Sequence, residues 1–189
     1  MKARKGVVFF IAVLLLVSII FVSGCTDKGS EGGDSKTVKS GDTVKVDYTG
    51  KLEDGTVFDT SREDAAKQAG IYVEGGEYAP LTFVVGSGQV IQGFDEGVIG
   101  MKIGEEKTLK IPPDKAYGEY DKTKILAVPI EELNLTNRSE IPEVGQSLRD
   151  MNGNQYKVTS VNDTHITLDA NHELAGKTLT FDIKLISIE

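Results

Sequence analysis

The groups that could do chemistry gather around one turn. In YTGKLEDGTVFDTS, residues 48–61, a phenol (Tyr48), an aromatic ring (Phe58) and a carboxylate (Asp59) flank an Asp54-Gly55 pair. An acid set among apolar residues needs a partner such as a tyrosine hydroxyl. Tyr48 can supply one if the chain folds back on itself. Tyr117 stands on a second turn, between Pro112-Pro113 and Gly118, and not in a strand. Leu81, Val90, Ile91, Phe94 and Phe181 complete an aromatic and aliphatic set spread over every expected core element. Periodicity alone reads that set as an ordinary core. The embedded Asp59 and the turn-borne Tyr117 point instead to a site.

Other chemistries find little support. His165 and His172 have no obvious Ser or Cys partner and are expected to be structural. There is no Cys/His cluster with metal-ligand spacing, so no metal is expected. Gly86-Ser-Gly88 followed by Gly93 misplaces the third glycine of a dinucleotide fingerprint, and no phosphate loop follows. In Asp150-Met-Asn-Gly-Asn154 the glycine sits too early for a calcium loop, so a hairpin turn is the better reading. No cofactor is implied.

The elements that must position these residues are short. Thr43 to Leu52 alternates, with Val44, Val46, Tyr48 and Leu52 on one face, which is a half-buried strand. Asp54-Gly55 is a hairpin signal, and Thr56 to Asp59 begins the return strand. On a regular strand Phe58 and Asp59 point to opposite faces. If both serve one site, the chain must bulge there. Thr60-Ser-Arg-Glu63 reads as a capping box for a helix from about Ser61 to Ala69, stopped by Gly70. Leu81 to Val85 is a strand. Ile91, Phe94 and Val98 share the apolar face of a short helix. Gly93 and Gly97 weaken that helix, so packing must hold it. Glu105 to Ile111 is a strand ended by two prolines. Lys177 to Ile188 is a strong final strand, with Leu179, Phe181, Ile183 and Leu185 on one face.

Between Tyr120 and His172 the texture changes to short apolar clusters: Ile125, Leu126 and Val128; Ile130, Leu133 and Leu135; Ile141 and Val144. Strands flank Asn152-Gly153-Asn154, and Thr164 to Leu168 is a third. A small β-rich insert over residues 122–170 is expected, with its two ends close together. The sequons at Asn134, Asn137 and Asn162 fall inside it and are candidate glycosylation sites.

The first 25 residues differ in kind. Lys2, Arg4 and Lys5 precede an apolar run from Val7 to Val22, broken only by Ser18, and the run ends Val-Ser-Gly-Cys25. This is a secretory signal. It reads either as a lipobox at which Cys25 is lipidated or as an uncleaved membrane anchor. Both place the rest of the chain outside the cytoplasm, tethered to the membrane's outer face. Residues 26–39 are Gly/Ser-rich and read as a flexible spacer. Without residues 1–25 the chain holds 18 basic and 29 acidic residues, a net charge of −11. That balance excludes a nucleic-acid partner, whose phosphates demand a basic face. A monomer is expected.

Three stretches carry a family resemblance: VDYTGKLEDGTVFDTS (46–61), VIQGFDEGVIGMKIGEEKTLKIPPDKAYG (90–118) and LTFDIKLISIE (179–189). Over residues 40–121 and 174–189 the chain resembles the FKBP-type peptidyl-prolyl cis-trans isomerases. Its segment between AYGEYD and NHELAGKTLTFD resembles the insert-in-flap domain of the SlyD-like subgroup. The Ser61–Pro80 extension and the lipobox look like secreted archaeal members.

The resemblance implies an α+β fold, an antiparallel sheet of five or six strands curled around a short helix, with the insert in the flap. The isomerase domain would comprise residues 40–121 and 171–189. Tyr48, Phe58 and Asp59 match the family's pocket residues on the first hairpin. Val90 and Ile91 match the pair before the helix, where Ile91 N–H meets a substrate carbonyl. Phe94 stands where many members carry Trp, Tyr117 matches the flap tyrosine, and Phe181 matches the last-strand aromatic. Leu81 replaces an aromatic of some members, which puts tight binding of the family's macrolide inhibitors in question. The subgroup's His-rich tail is absent, so its metal handling is not carried over. The implied partners are proline-containing unfolded polypeptides. They would be isomerised at the pocket and held by the insert's apolar residues. The alternative is a tethered peptide-binding or holdase module without isomerase activity.

Overall fold

The computed structural model describes residues 36–133 and 140–189. Cys25, the leader, most of the spacer, Asn134, Leu135 and Asn137 lie outside the described residues.

The architecture is α+β with antiparallel pairing throughout. The first sheet is built on β1 (Thr43–Lys51), whose alternation buries Val44 and Val46. Along one edge of β1 its first half pairs with β3 (Leu81–Val84) and its second half with β2 (Val57–Thr60). Along the other edge lies β9 (Leu179–Ile188), which also pairs with β4 (Glu106–Ile111). The last strand in sequence is therefore central in the sheet. Leu179, Phe181, Ile183 and Leu185 are all buried, as a period of two requires of a strand with one covered face.

The cover is α2 (Gln92–Val98), which buries Phe94 and Val98. Its glycines have a packing reason. A Cβ at Gly93 would run into Ile111, and one at Gly97 into Leu109. Both neighbours belong to β4. Helix propensity is surrendered here so that helix and strand can approach closely.

The capping-box expectation is overturned. Helix α1 runs from Glu63 to Ala69, with Arg62 at its N-cap and no side chain capping it. The hydroxyls of Thr60 and Ser61 are engaged elsewhere. Ser61 Oγ donates to Asp47 Oδ1 (2.9 Å) and accepts Tyr48 N–H (2.9 Å). Thr60 Oγ1 donates to the Tyr48 carbonyl (2.8 Å). Both buried hydroxyls thus fasten the end of β2 to β1. Gly70 does end the helix, in the left-handed conformation (φ 72°).

The folded body also starts earlier than expected. Val38, assigned to the spacer, is 1% exposed. Its N–H donates to the Met101 carbonyl and its own carbonyl accepts Gly100 N–H, each at 2.9 Å. Thr37 bridges to Lys102.

A second sheet, of order β5-β8-β7-β6, is formed by β5 (Ile125–Pro129), β6 (Ser147–Arg149), β7 (Gln155–Val161) and β8 (His165–Asp169). Val158, Ile166 and Leu168 form its own small core. Asp150 closes the β6–β7 hairpin by accepting the N–H groups of Asn152 and Asn154, beside Gly153 at φ 87°. The two connections to the first sheet meet. Asp121 N–H donates to Asn171 Oδ1 (3.0 Å), and Asn171 Nδ2 donates to the Asp121 carbonyl (2.9 Å).

Candidate active site

The hairpin from β1 to β2 does bulge. Gly50 pairs with Asp59 and Lys51 with Val57, so Phe58 is the extra residue. A bulge re-aims side chains that strict alternation would send apart. Phe58 packs edge-on against Phe181, with ring centroids 5.6 Å apart. Asp59 is exposed and not embedded as expected, because it lies at the rim of the cluster, where its Oδ2 accepts a 2.7 Å hydrogen bond from the Tyr48 hydroxyl. Gly50 makes this possible. A Cβ there would lie 2.7 Å from Phe58 Cζ and 2.9 Å from Phe181 Cε1. Sequence reasoning passed over Gly50, although a glycine inside a strand is itself a signal of close approach.

The rings continue inward. Phe181 meets Phe94 edge-on at 5.2 Å, and Tyr48 meets Phe94 at 6.1 Å and Phe181 at 6.2 Å. Phe94 and Phe181 are buried, while Tyr48 and Phe58 are half-buried. Beneath them Phe83 packs on Phe94 at 5.8 Å. It is a supporting ring that sequence reasoning did not single out. Leu81, Val90 and Ile91 are half-buried and pack against the same core. Ile91 sits at the N-cap of α2, and its N–H makes no hydrogen bond among the described residues. Buried Asp95 positions this corner, because its Oδ1 accepts Gly86 N–H (2.8 Å) across the loop before the helix.

Tyr117 follows a short 3₁₀ turn, Pro113–Lys115, closed by Gly118 N–H donating to the Pro113 carbonyl (2.8 Å). The residue is 40% exposed, and its ring lies flat on His172. Burial, and then the charges of Asp59 and Glu173, push its phenol above the usual tyrosine range. Burial pushes the Tyr48 phenol further up, reinforced by its hydrogen bond to Asp59 and by the nearby charge of that carboxylate. Tyr117 also acts on Tyr48 in the same direction. The two phenols and Asp59 therefore share one electrostatic neighbourhood. Tyr48 is thereby held as the hydrogen-bond donor to Asp59.

The residues of the second sheet are more dispersed. Val128, Ile130, Leu133 and Ile141 pack against its core and are half-buried, as is Ile125. Leu126 (42%) and Val144 (63%) are exposed. Asn162 sits in the β7–β8 turn, its Oδ1 accepting Thr164 and His165 N–H. A groove on the opposite, polar face of the first sheet is lined by residues including Asp47, Arg62, Thr108, Asp182 and Lys184. Two of its charges are paired across the sheet, Asp182 with Lys51 (2.6 Å) and Lys184 with Glu106 (3.0 Å). Among the described residues no group of three or more His, Cys, Asp or Glu side chains is arranged to hold a metal.

The arrangement suits binding and not covalent chemistry. It offers stacked aromatic rings, a carboxylate occupied by a phenol, a second phenol on a turn and an available backbone N–H. Comparison with known proteins agrees. A family model described as FKBP-type peptidyl-prolyl cis-trans isomerase matches residues 34–186. The short-type peptidyl-prolyl cis-trans isomerase of Methanocaldococcus jannaschii is 45% identical over 152 residues, 80% of this chain and 94% of the relative. FK506-binding protein 2 of Yarrowia lipolytica is 37% identical over 129 residues, 64% of this chain and 81% of the relative. The probable FKBP-type 16 kDa peptidyl-prolyl cis-trans isomerase of Pseudomonas fluorescens is 34% identical over 148 residues, 77% of this chain and 88% of the relative.

Proposed function

The chain belongs to the FKBP-type peptidyl-prolyl cis-trans isomerase family and is an enzyme of that activity, and on this premise we propose that it isomerises Xaa-Pro bonds of unfolded or partly folded proteins outside the cytoplasm, using the aromatic cluster around Tyr48. The observation that carries the site assignment is the bulge at Phe58, which turns Phe58 and Asp59 toward the same rings.

Rotation about an Xaa-Pro bond faces a barrier of about 18–20 kcal/mol and takes roughly tens of seconds unaided. At the twisted transition state the amide loses resonance, so its carbonyl is less polar than in the planar form. Phe58, Ile91, Phe94 and Phe181 provide an apolar surface that disfavours the planar, polar amide relative to the twisted one. They also seat the proline ring. Ile91 N–H and the Tyr117 hydroxyl hold the substrate carbonyl. Asp59 holds Tyr48 in place, and this occupies both groups. A thousandfold acceleration requires only about 4 kcal/mol of preference for the twisted form. No nucleophile takes part.

Residues 122–170 act as an insert-in-flap domain that holds unfolded segments near the pocket. Exposed Leu126 and Val144 and the half-buried Ile125, Val128, Ile130, Leu133 and Ile141 support this reading. The enzyme is tethered outside the cytoplasm through Cys25 or through the apolar leader itself. The apolar run and its basic flank support that placement.

The test is turnover of a short Xaa-Pro peptide by the full chain, compared with Asp59→Leu and Tyr117→Ala. Each substitution is expected to lower kcat/KM at least tenfold while the protein stays folded. Unchanged turnover in both folded variants would remove the pocket from this place. Joining Asp121 to Asn171 deletes the insert at a point where these residues already bond to each other. Turnover should then fall on unfolded proteins and persist on short peptides. Equal loss on both substrates refutes the holding role.

A further inference from the structure

We propose that His172 is a positioning residue of the isomerase. It holds the Tyr117 ring so that its hydroxyl is presented to the substrate carbonyl. The inference rests on the reading of Tyr117 as the carbonyl donor.

Tyr117 needs such a support. It stands on a turn, it is 40% exposed, and its hydroxyl has no hydrogen-bond partner among the described residues. A phenol at the end of two free torsions must be ordered each time substrate binds, and that ordering costs affinity. In this structure one face of the ring is covered. The His172 ring lies parallel to it within 1°, with centroids 3.9 Å apart.

The imidazole is itself well anchored. Its Nδ1 accepts the Leu174 N–H (3.1 Å), which leaves the proton of the neutral ring on Nε2. The His172 carbonyl accepts Ala175 N–H (2.9 Å). Leu174 and Ala175 are buried, and Leu174 belongs to the main core. Gly176 N–H donates to the Gly118 carbonyl (2.8 Å), which ties this same segment to the residue after Tyr117. The backbone bond fixes where the turn sits, and the stack fixes where the ring points. His172 also stands one residue beyond Asn171, the junction to the second sheet. The support for the flap tyrosine therefore comes from the strand-return side of the second sheet and not from the turn that carries Tyr117.

Two substitutions separate the ring from its hydrogen bond. His172→Phe keeps a flat ring and loses the acceptor for Leu174 N–H. His172→Asn keeps a side-chain acceptor two residues before Leu174 and loses the ring. If the stack matters, His172→Asn lowers kcat/KM for a short Xaa-Pro peptide about fivefold, and His172→Phe stays within about twofold of the parent. A merely structural role predicts the reverse order, and that result overturns the proposal. The full chain is assayed, and its thermal midpoint is recorded for each variant. A double substitution completes the test. In a Tyr117→Ala background His172→Asn should have no further effect, because its influence passes through the missing ring. An undiminished effect there also overturns the proposal. Should Tyr117→Ala alone leave turnover unchanged, the fault lies with the assignment of Tyr117 as donor and not with the stack.

Discussion

Gly50→Ala probes the site with a single methyl group. The added Cβ would lie 2.7 and 3.0 Å from two atoms of Phe58 and 2.9 Å from Phe181. Ordinary carbon contacts lie near ~3.5–4.0 Å, so both rings must retreat by roughly 1 Å. Phe58 is half-buried and can pivot. Phe181 is wedged among Tyr48, Phe58 and Phe94 and has nowhere to go. Overpacking of this kind costs about 1–3 kcal/mol. Removing glycine from a strand returns about 0.5–1 kcal/mol. The net loss is about 1 kcal/mol, a fall in Tm of about 3 °C for a chain of this size. The effect on turnover should be larger. A displacement of about 1 Å in a binding surface can cost up to ~100-fold in rate. The expected result is a folded protein whose kcat/KM for a short Xaa-Pro peptide drops tenfold or more, measured beside its thermal melt. Parental turnover with an unchanged melt would show that the Phe58–Gly50–Phe181 contact is not part of the working surface. A lowered melt with parental turnover would refute the site while leaving the packing intact.

Two further predictions concern the phenol and the N-terminal edge. An unperturbed tyrosine ionises near pH ~10, but folding raises Tyr48 above that. The stability it contributes is complete below the unfolded value and drains away as pH climbs from there toward the folded one. In an ultraviolet titration Tyr48→Phe should leave the tyrosinate absorbance of the folded protein at about pH 10.5 unchanged; loss of one tyrosine's signal at that pH refutes the assignment. A chain beginning at Ser40 should be less stable than one beginning at Asp34 by about 2 kcal/mol in denaturant titration, because it lacks buried Val38. Equal midpoints would mean that Val38 is not part of the fold's energetics.

Much of the first sheet was readable because its signals are local. Alternation from Thr43 to Leu52, the Asp54-Gly55 turn and the apolar face of Leu179 to Leu185 each report one covered face. The need for a bulge followed from Phe58 and Asp59 being neighbours with a supposed common task. What escaped depends on partners distant in sequence. Thr60 and Ser61 have the residue types of a cap, yet their hydroxyls bond to β1. Val38 looked like spacer because its partners, Gly100 and Met101, lie far along the chain. Ile125 to Pro129 read as an apolar cluster and not as a strand, since a five-residue edge ending in proline carries little periodicity. His172 showed nothing by spacing that linked it to Tyr117. In the candidate site, the pocket residues followed from resemblance, while Gly50 left only the signal of a glycine inside a strand, and Phe83 and Asp95 emerge from a ring contact and a hydrogen bond to residues distant in sequence.

The position of β9 has a consequence for synthesis. A chain made from its N-terminus forward has β1 and β4 long before it has the strand that lies between them. Until that segment emerges, both strands present unpaired edges, the kind of surface that invites wrong partners. The second sheet closes over one continuous stretch, residues 125–169, and needs nothing from the ends. Loop closure favours that order. The nascent protein can thus carry a finished small sheet beside a large one that stays open until its last strand arrives.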